Sequence, residues 1–121
     1  MSWRLLALII SVVVVDQGLK LAAVAFHLPY LQGELYHPLL ALAVTVVALW
    51  GLAKYPSSGL ALIVGGGGSN LLDLLVRQQV LDIFTVKNFA FNLADICIVA
   101  GFLVILGEIF YGSSSRAKVR G

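Results

Sequence analysis

The stretch Leu60-Ala61-Leu62-Ile63-Val64-Gly65-Gly66-Gly67-Gly68-Ser69-Asn70-Leu71-Leu72-Asp73-Leu74-Leu75 carries only three polar residues, Ser69, Asn70 and Asp73. Crossing the hydrocarbon of a bilayer takes about 20 apolar residues in a helix, with about 17 as the usual minimum. The run therefore reads as a short membrane-spanning helix that needs local thinning or polar extensions to cross. Four consecutive glycines weaken a helix in water, but in lipid they let another backbone come close. Gly65 and Ser69 form a small-xxx-small pair, so this helix is expected to pack tightly. A charged side chain near the bilayer centre costs roughly 2.5–3.5 kcal/mol on insertion scales, so Asp73 needs a partner or a task.

Working outward, three more apolar segments flank this one. Together they predict an all-α membrane protein, a bundle of four transmembrane helices occupying residues 1–112. The expected spans are about 5–26, 39–53, 60–75 and 89–110, followed by a polar, basic and disordered tail over 113–121. Composition agrees: 60% of the 121 residues are apolar and 12% are charged, too little polar surface for a soluble domain of this size. A net charge of +2 gives no reason to expect nucleic acid. Cys97 stands alone in an apolar run, and His27 and His37 have no partner at metal-ligand spacing. No disulfide, metal or organic cofactor is expected. Arg4, Leu5 to Val15 and Ala23-Val24-Ala25 imitate a cleavable leader, but Asp16 and Lys20 interrupt the apolar run, so the first segment reads as a retained span.

Charge asymmetry orients the bundle. In a four-span arrangement Arg4, Lys54, Arg116, Lys118 and Arg120 fall on one side, against Arg77 and Lys87 in the opposite loops. The positive-inside rule then puts both termini in the cytoplasm. Trp3, Tyr30, Tyr36, Tyr55 and Tyr111 lie near span ends, as an interfacial aromatic belt does. Glu108 is expected to snorkel or to pair with the basic tail.

All four aspartates lie within or at the ends of apolar segments. Asp16 and Lys20 are four apart, one turn along a shared helix face, and so can pair. Asn70 precedes Asp73 by three residues, as Asn92 precedes Asp95, so each amide can reach or orient its neighbour. Asp82, in Val80-Leu81-Asp82-Ile83-Phe84, sits on an apolar stretch that can dip into the interface near Asp95. Two carboxylates held close cannot both ionise easily and share a proton. The ionised one can then take a proton from water while the other donates to a carbonyl oxygen, which is general acid–base peptide hydrolysis.

These residues resemble one family, the lipoprotein signal peptidases. Asp16-Gln17-Gly18-Leu19-Lys20 is similar to its Asp-Gln-x-x-Lys motif, and Gly65-Gly66-x-x-x-Asn70-x-x-Asp73 to its Gly-Gly-x-x-Gly-Asn-x-x-Asp-Arg segment. Val80-Leu81-Asp82-Ile83-Phe84 resembles the Val-Val-Asp-Phe stretch, and Phe91-Asn92-Leu93-Ala94-Asp95 the Phe-Asn-x-Ala-Asp motif. The resemblance implies an intramembrane aspartic peptidase of the bacterial inner membrane, with its site near the outer face. Its substrates would be diacylglyceryl-modified prolipoproteins, cut before the lipid-bearing cysteine. Asp82 and Asp95 would be the catalytic dyad, ordered by Asp16, Lys20, Asn70, Asp73 and Asn92. Surrounding membrane lipid is the other implied partner.

The chain departs from the pattern in places. Residues 27–38 leave no room for the family's extracytoplasmic Asn-x-Gly-Ala-Ala-Phe segment, so that portion is reduced, and whether a partner supplies it is open. Leu74 stands where arginine is expected, with Arg77 one turn further on, and Ser69 stands in place of a glycine. Two other readings stay open: a catalytically silent relative that binds lipidated segments, and a small four-helix proton-coupled transporter. Asp16 paired with Lys20, with two further Asn/Asp pairs, speaks against the transporter.

Overall fold

The computed structural model describes residues 2–26, 31–33, 38–77, 80–86 and 89–120, and within them side chains of 2–26, 42–77, 82–84 and 91–111. His27, His37, Tyr30, Tyr36 and Lys87 lie outside the described residues, as do the side chains of Arg116, Lys118 and Arg120.

Among the described residues four helices make up most of the fold: α1 (Trp3–Ala25), α2 (Pro38–Lys54), α3 (Ser58–Arg77) and α4 (Leu93–Arg120). Among the described residues, Trp3–Ala25, Ser58–Arg77 and Leu93–Tyr111 are long and apolar enough to cross a membrane, and α2 is a shorter apolar helix. The third span is therefore not short: α3 runs on through Asp73 to Arg77, because those two residues pair one turn apart. At the other end, α4 remains helical backbone to Arg120, through the segment expected to be disordered. Without a proline to stop it, each added residue there extends an existing hydrogen-bond ladder.

Polar caps set where three helices begin. Ser2 Oγ accepts the Leu5 N–H and Ser57 Oγ the Leu60 N–H, each at 3.3 Å, and Asn92 Oδ1 accepts the Asp95 N–H at 2.8 Å. Each side chain satisfies a backbone donor that the first helical turn leaves without a partner.

The other three helices pack on α3, and the glycine run explains how. Successive residues of a helix turn by about 100°, so four in a row sweep the whole circumference. A methyl at Gly65 would strike Val12 of α1, one at Gly66 the Ala94 carbonyl of α4, and one at Gly67 the Thr45 hydroxyl of α2. A methyl at Gly68 would meet no described heavy atom within 4 Å. Three neighbours thus approach one helix at a single level, each where a side chain is missing. About two turns away toward the start of α3, Gly59 and Gly101 bring α3 and α4 equally close, each facing the other's carbonyl. These contacts make α1 parallel to α3, with α2 and α4 antiparallel to it. The core built on that axis includes Ala48, Leu52, Ala61, Ile63 and Val64.

Two short ribbons join the helices at the end where α3 finishes. Strand β1 (Leu31–Gly33) pairs antiparallel with β2 (Val80–Asp82), Leu31 opposite Asp82. Strands β3 (Phe84–Val86) and β4 (Phe89–Phe91) form a hairpin with Phe84 opposite Phe91, their rings 5.6 Å apart. Val80–Asp82 and Phe84 are thus strand-paired, with Ile83 between the two ribbons. Helix α4 starts at Leu93, which places Asp95 in its first turn.

The packing predicts opposite outcomes for two adjacent glycines. Gly66→Ala should destabilise by about 1–3 kcal/mol, since neither the Ala94 carbonyl nor its helix can yield. Gly68→Ala should be neutral, or stabilising by about 0.4–1 kcal/mol. Unfolding in detergent, followed by circular dichroism, tests the pair, and equal effects would refute the packing at this level.

Candidate active site

The polar side chains of α1 and α3 meet on the shared face that their spacing creates. Lys20 has no accessible surface, and its ammonium lies 2.7 Å from Asp16 Oδ2 and 2.6 Å from Asp73 Oδ2. It also donates to Asn70 Oδ1 at 3.3 Å. Arg77 Nη1 closes on the other oxygen of Asp73 at 2.6 Å. Asp16 and Asp73 are likewise fully buried, so each buried carboxylate has a cation and further donors. Burial of charge is tolerated only on such terms.

Two residues that the motif reading left without a role complete this layer. Gln17 Nε2 lies 2.9 Å from both Ser69 Oγ and Asp73 Oδ1, while its Oε1 accepts from Arg77 at 2.9 Å. Ser69 Oγ donates to Asp16 Oδ2 at 2.6 Å. Arg77 thus contacts Asp73 from the next turn, although Leu74 occupies the position where the family pattern has its arginine. In the sequence Gln17 stands within the Asp-Gln-x-x-Lys motif and Ser69 in a small-xxx-small pair, and neither signal names these partners.

This layer connects to α4 through its N-terminus. Asp16 Oδ1 accepts the Ala94 N–H at 3.0 Å, putting a carboxylate at the positive end of the helix dipole. Asn92 and Asp95 form a reciprocal capping box: the Asp95 N–H donates to Asn92 Oδ1, and the Asn92 N–H donates to Asp95 Oδ2 at 3.2 Å. Asn70 reaches across to Asp95 Oδ1, donating at 3.1 Å, whereas its three-residue spacing had suggested service to Asp73.

Asp82 enters from the ribbons. The β3–β4 register turns the chain back on itself, so residues before Phe84 lie beside residues after Phe91. Asn92 Nδ2 donates to Asp82 Oδ1 at 3.2 Å and to Asn70 Oδ1 at 3.0 Å. One asparagine therefore holds both carboxylates, Asp82 through its amide and Asp95 through its backbone N–H. The Asp82 carboxyl is pushed up to about 6, first by burial and next by the Asp95 carboxylate, with Lys20 and the Asn92 hydrogen bond pulling the other way. A carboxyl with raised proton affinity beside a second carboxylate is the arrangement that general acid–base chemistry uses. On the lipid side of α4 an apolar groove of about 390 Å³ runs from Asp95 along Ile96, Val99 and Leu103.

At the far end of the bundle Glu108 accepts from Ser57 Oγ at 2.8 Å, so its partner is the α3 cap. Neither residue belongs to the aspartate cluster.

Helices long enough to cross a bilayer, joined at one end by a buried ion network and two linked carboxylates, define a multi-pass membrane protein with a cluster of acidic residues at one end. Residues 24–111 match the family described as signal peptidase (SPase) II, and the chain belongs to that family. The match takes in Asn70, Asp73, Asp82, Asn92 and Asp95, while Asp16 and Lys20 precede it and join the site through the fold. A lipoprotein signal peptidase of Alteromonas mediterranea is 33% identical over 93 residues, covering 68% of this chain and 51% of the relative. Another, from Rhodopseudomonas palustris, is 31% identical over 85 residues, covering 60% and 52%. The chain thus spans about half the length of these relatives. In fold it is similar to a bacterial membrane enzyme solved by the in meso method, at a TM-score of 0.72 and 16% identity over 93% of this chain and 90% of that one.

The network predicts that Lys20→Met, which leaves buried Asp16 without a cation and Asp73 with Arg77 alone, costs about 3–5 kcal/mol. Arg77→Met should cost clearly less, because that side chain is 21% exposed and Lys20 remains on Asp73. Thermal unfolding of the two variants side by side measures the difference.

Proposed function

We propose that this protein is an intramembrane aspartic endopeptidase that removes the signal peptide from diacylglyceryl-modified prolipoproteins, on the N-terminal side of the lipidated cysteine. The observation that carries this reading is the bridge through Asn92, which links Asp82 and Asp95 in one hydrogen-bonded unit. Membership in the signal peptidase II family supports a prolipoprotein substrate. The apolar groove beside Asp95 suits a substrate that arrives from the lipid. With the basic ends of α2 and α4 in the cytoplasm, as the positive-inside rule requires, the cluster faces the outer side of the inner membrane.

In this mechanism the two carboxyls share one proton. The ionised member takes a proton from a water molecule, whose oxygen adds to the scissile carbonyl carbon. The protonated member gives its proton to the carbonyl oxygen, so charge does not build up in a poorly solvated site. Collapse of the tetrahedral intermediate breaks the C–N bond. The amine of the lipidated cysteine leaves with a proton returned from the dyad, and the signal peptide leaves as a carboxylic acid. Asn92 and Asn70 hold the two carboxyls in register. Asp16, Lys20 and Asp73 hold the helices on which they depend.

Two measurements test this. With a lipid-modified prolipoprotein and purified protein in detergent or bilayer, Asp82→Asn and Asp95→Asn should each lower cleavage by at least about 10²–10⁴-fold. Uncut substrate with well-folded parent protein would instead favour the silent relative that binds lipidated segments. The second concerns pH. Asp82 gains its proton as pH falls through about 6, so the singly protonated pair of the free protein is present below that value and lost above it. The kcat/KM profile should therefore fall on the alkaline side with an apparent pKa of about 6. Substrate that excludes water raises Asp82 further, so the kcat profile should fall later.

A further inference from the structure

At the end of the bundle away from the aspartates, α2 and α4 both rest on α3 and leave a groove of about 390 Å³ between them. Val47 and Trp50 form one wall, Phe102 and Ile105 the other, and Leu60 and Ile63 the floor. Gly51, which faces Leu60, keeps the floor open on the α2 side. Every lining side chain is apolar, so nothing here recognises a hydrogen-bonding ligand, and hydrocarbon is the chemistry that fits.

Length and charge narrow the occupant. Along α2 the groove runs from Ala43 to Gly51, eight helical steps or about 12 Å. Half of a hydrocarbon core of about 30 Å is about 15 Å, so the groove is nearly one leaflet deep. Lys54 stands one turn beyond its end, with its ammonium 4.5 Å above the Trp50 ring that lines the wall. The mouth therefore presents a cation directly over the apolar slot. Arg4 begins α1 at the same end, where Glu108 is engaged by Ser57. The helical extension of α4 adds three more basic residues to this side.

We propose that this groove binds one acyl chain of an anionic glycerophospholipid, whose phosphate sits on Lys54. The lipid fills the space that α2 and α4 leave on α3, in the leaflet opposite the carboxylate cluster. This site is independent of catalysis at Asp82 and Asp95.

The chain has two tryptophans, so Trp3→Phe leaves Trp50 as the sole indole reporter. This variant would be reconstituted in vesicles containing phosphatidylglycerol or phosphatidylcholine with brominated acyl chains, which quench an indole on contact. Half-quenching should need about fivefold less brominated phosphatidylglycerol than phosphatidylcholine, the preference expected of one basic residue near the surface. Adding Lys54→Gln should remove the preference. So should Ala43→Phe, which fills the groove and leaves the charge, and both variants should keep the parent unfolding temperature. Equal quenching by the two lipids would overturn the proposal in favour of ordinary annular lipid. Trp50 shielded from both, in a chain that migrates as a dimer, would overturn it in favour of a second copy.

Discussion

The ammonium of Lys20, with no surface of its own, lies between the carboxylates of Asp16 and Asp73 at 2.7 and 2.6 Å, and much of the molecule is arranged around that position. Removing an ion from water is costly, and only close partners offset the cost, so the three groups hold one another to a narrow geometry. With Arg77 the set contains two negative and two positive charges and is neutral. It fixes α1 against α3. The second oxygen of Asp16 then fixes α4 by its first turn, through the Ala94 N–H. Asp95 lies one residue further on.

Close packing of the backbones makes this electrostatic arrangement reachable. Lys20 can touch Asp73, and Asp16 can touch Ser69, only because α1 approaches α3 where Gly65 has no side chain. The same level of α3 admits α4 at Gly66 and α2 at Gly67. Position then passes outward along short links: α3 to Asn70, Asn70 to Asp95 and Asn92, Asn92 to Asp82. Asp82 sits on the least helical part of the chain, yet strand pairing on one side and the asparagine on the other hold it.

The parts of this structure that the sequence made legible are those written in local periodicity. Asp16 and Lys20 pair as their spacing of four requires, and Asn92 serves Asp95 as its spacing of three suggests. Apolar run length showed four helices, although α3, read as a short run over 60–75, extends from Ser58 to Arg77, where Arg77 pairs with Asp73. The partners of Gln17 and Ser69 were not legible, since they stand more than fifty residues away, although Gln17 lies in the Asp-Gln-x-x-Lys motif. The bond from Asn70 to Asp95 was hidden for the same reason, its acceptor lying on another helix. The hairpin that carries Asp82 toward Asn92 was hidden as well. Its strands are three residues each, too brief for an alternating pattern to register.

One arrangement in the network bears on how the protein comes to be in a membrane at all. Asp16 has Lys20 one turn away on α1, and Asp73 has Arg77 one turn away on α3. Each helix therefore brings its own counter-ion and leaves the translocation machinery with its charges already cancelled. Neither has to wait in lipid for the other to make it tolerable. Lateral assembly then only exchanges partners, Lys20 extending its hold from Asp16 to Asp73, so biogenesis of the individual segments is uncoupled from construction of the site they share.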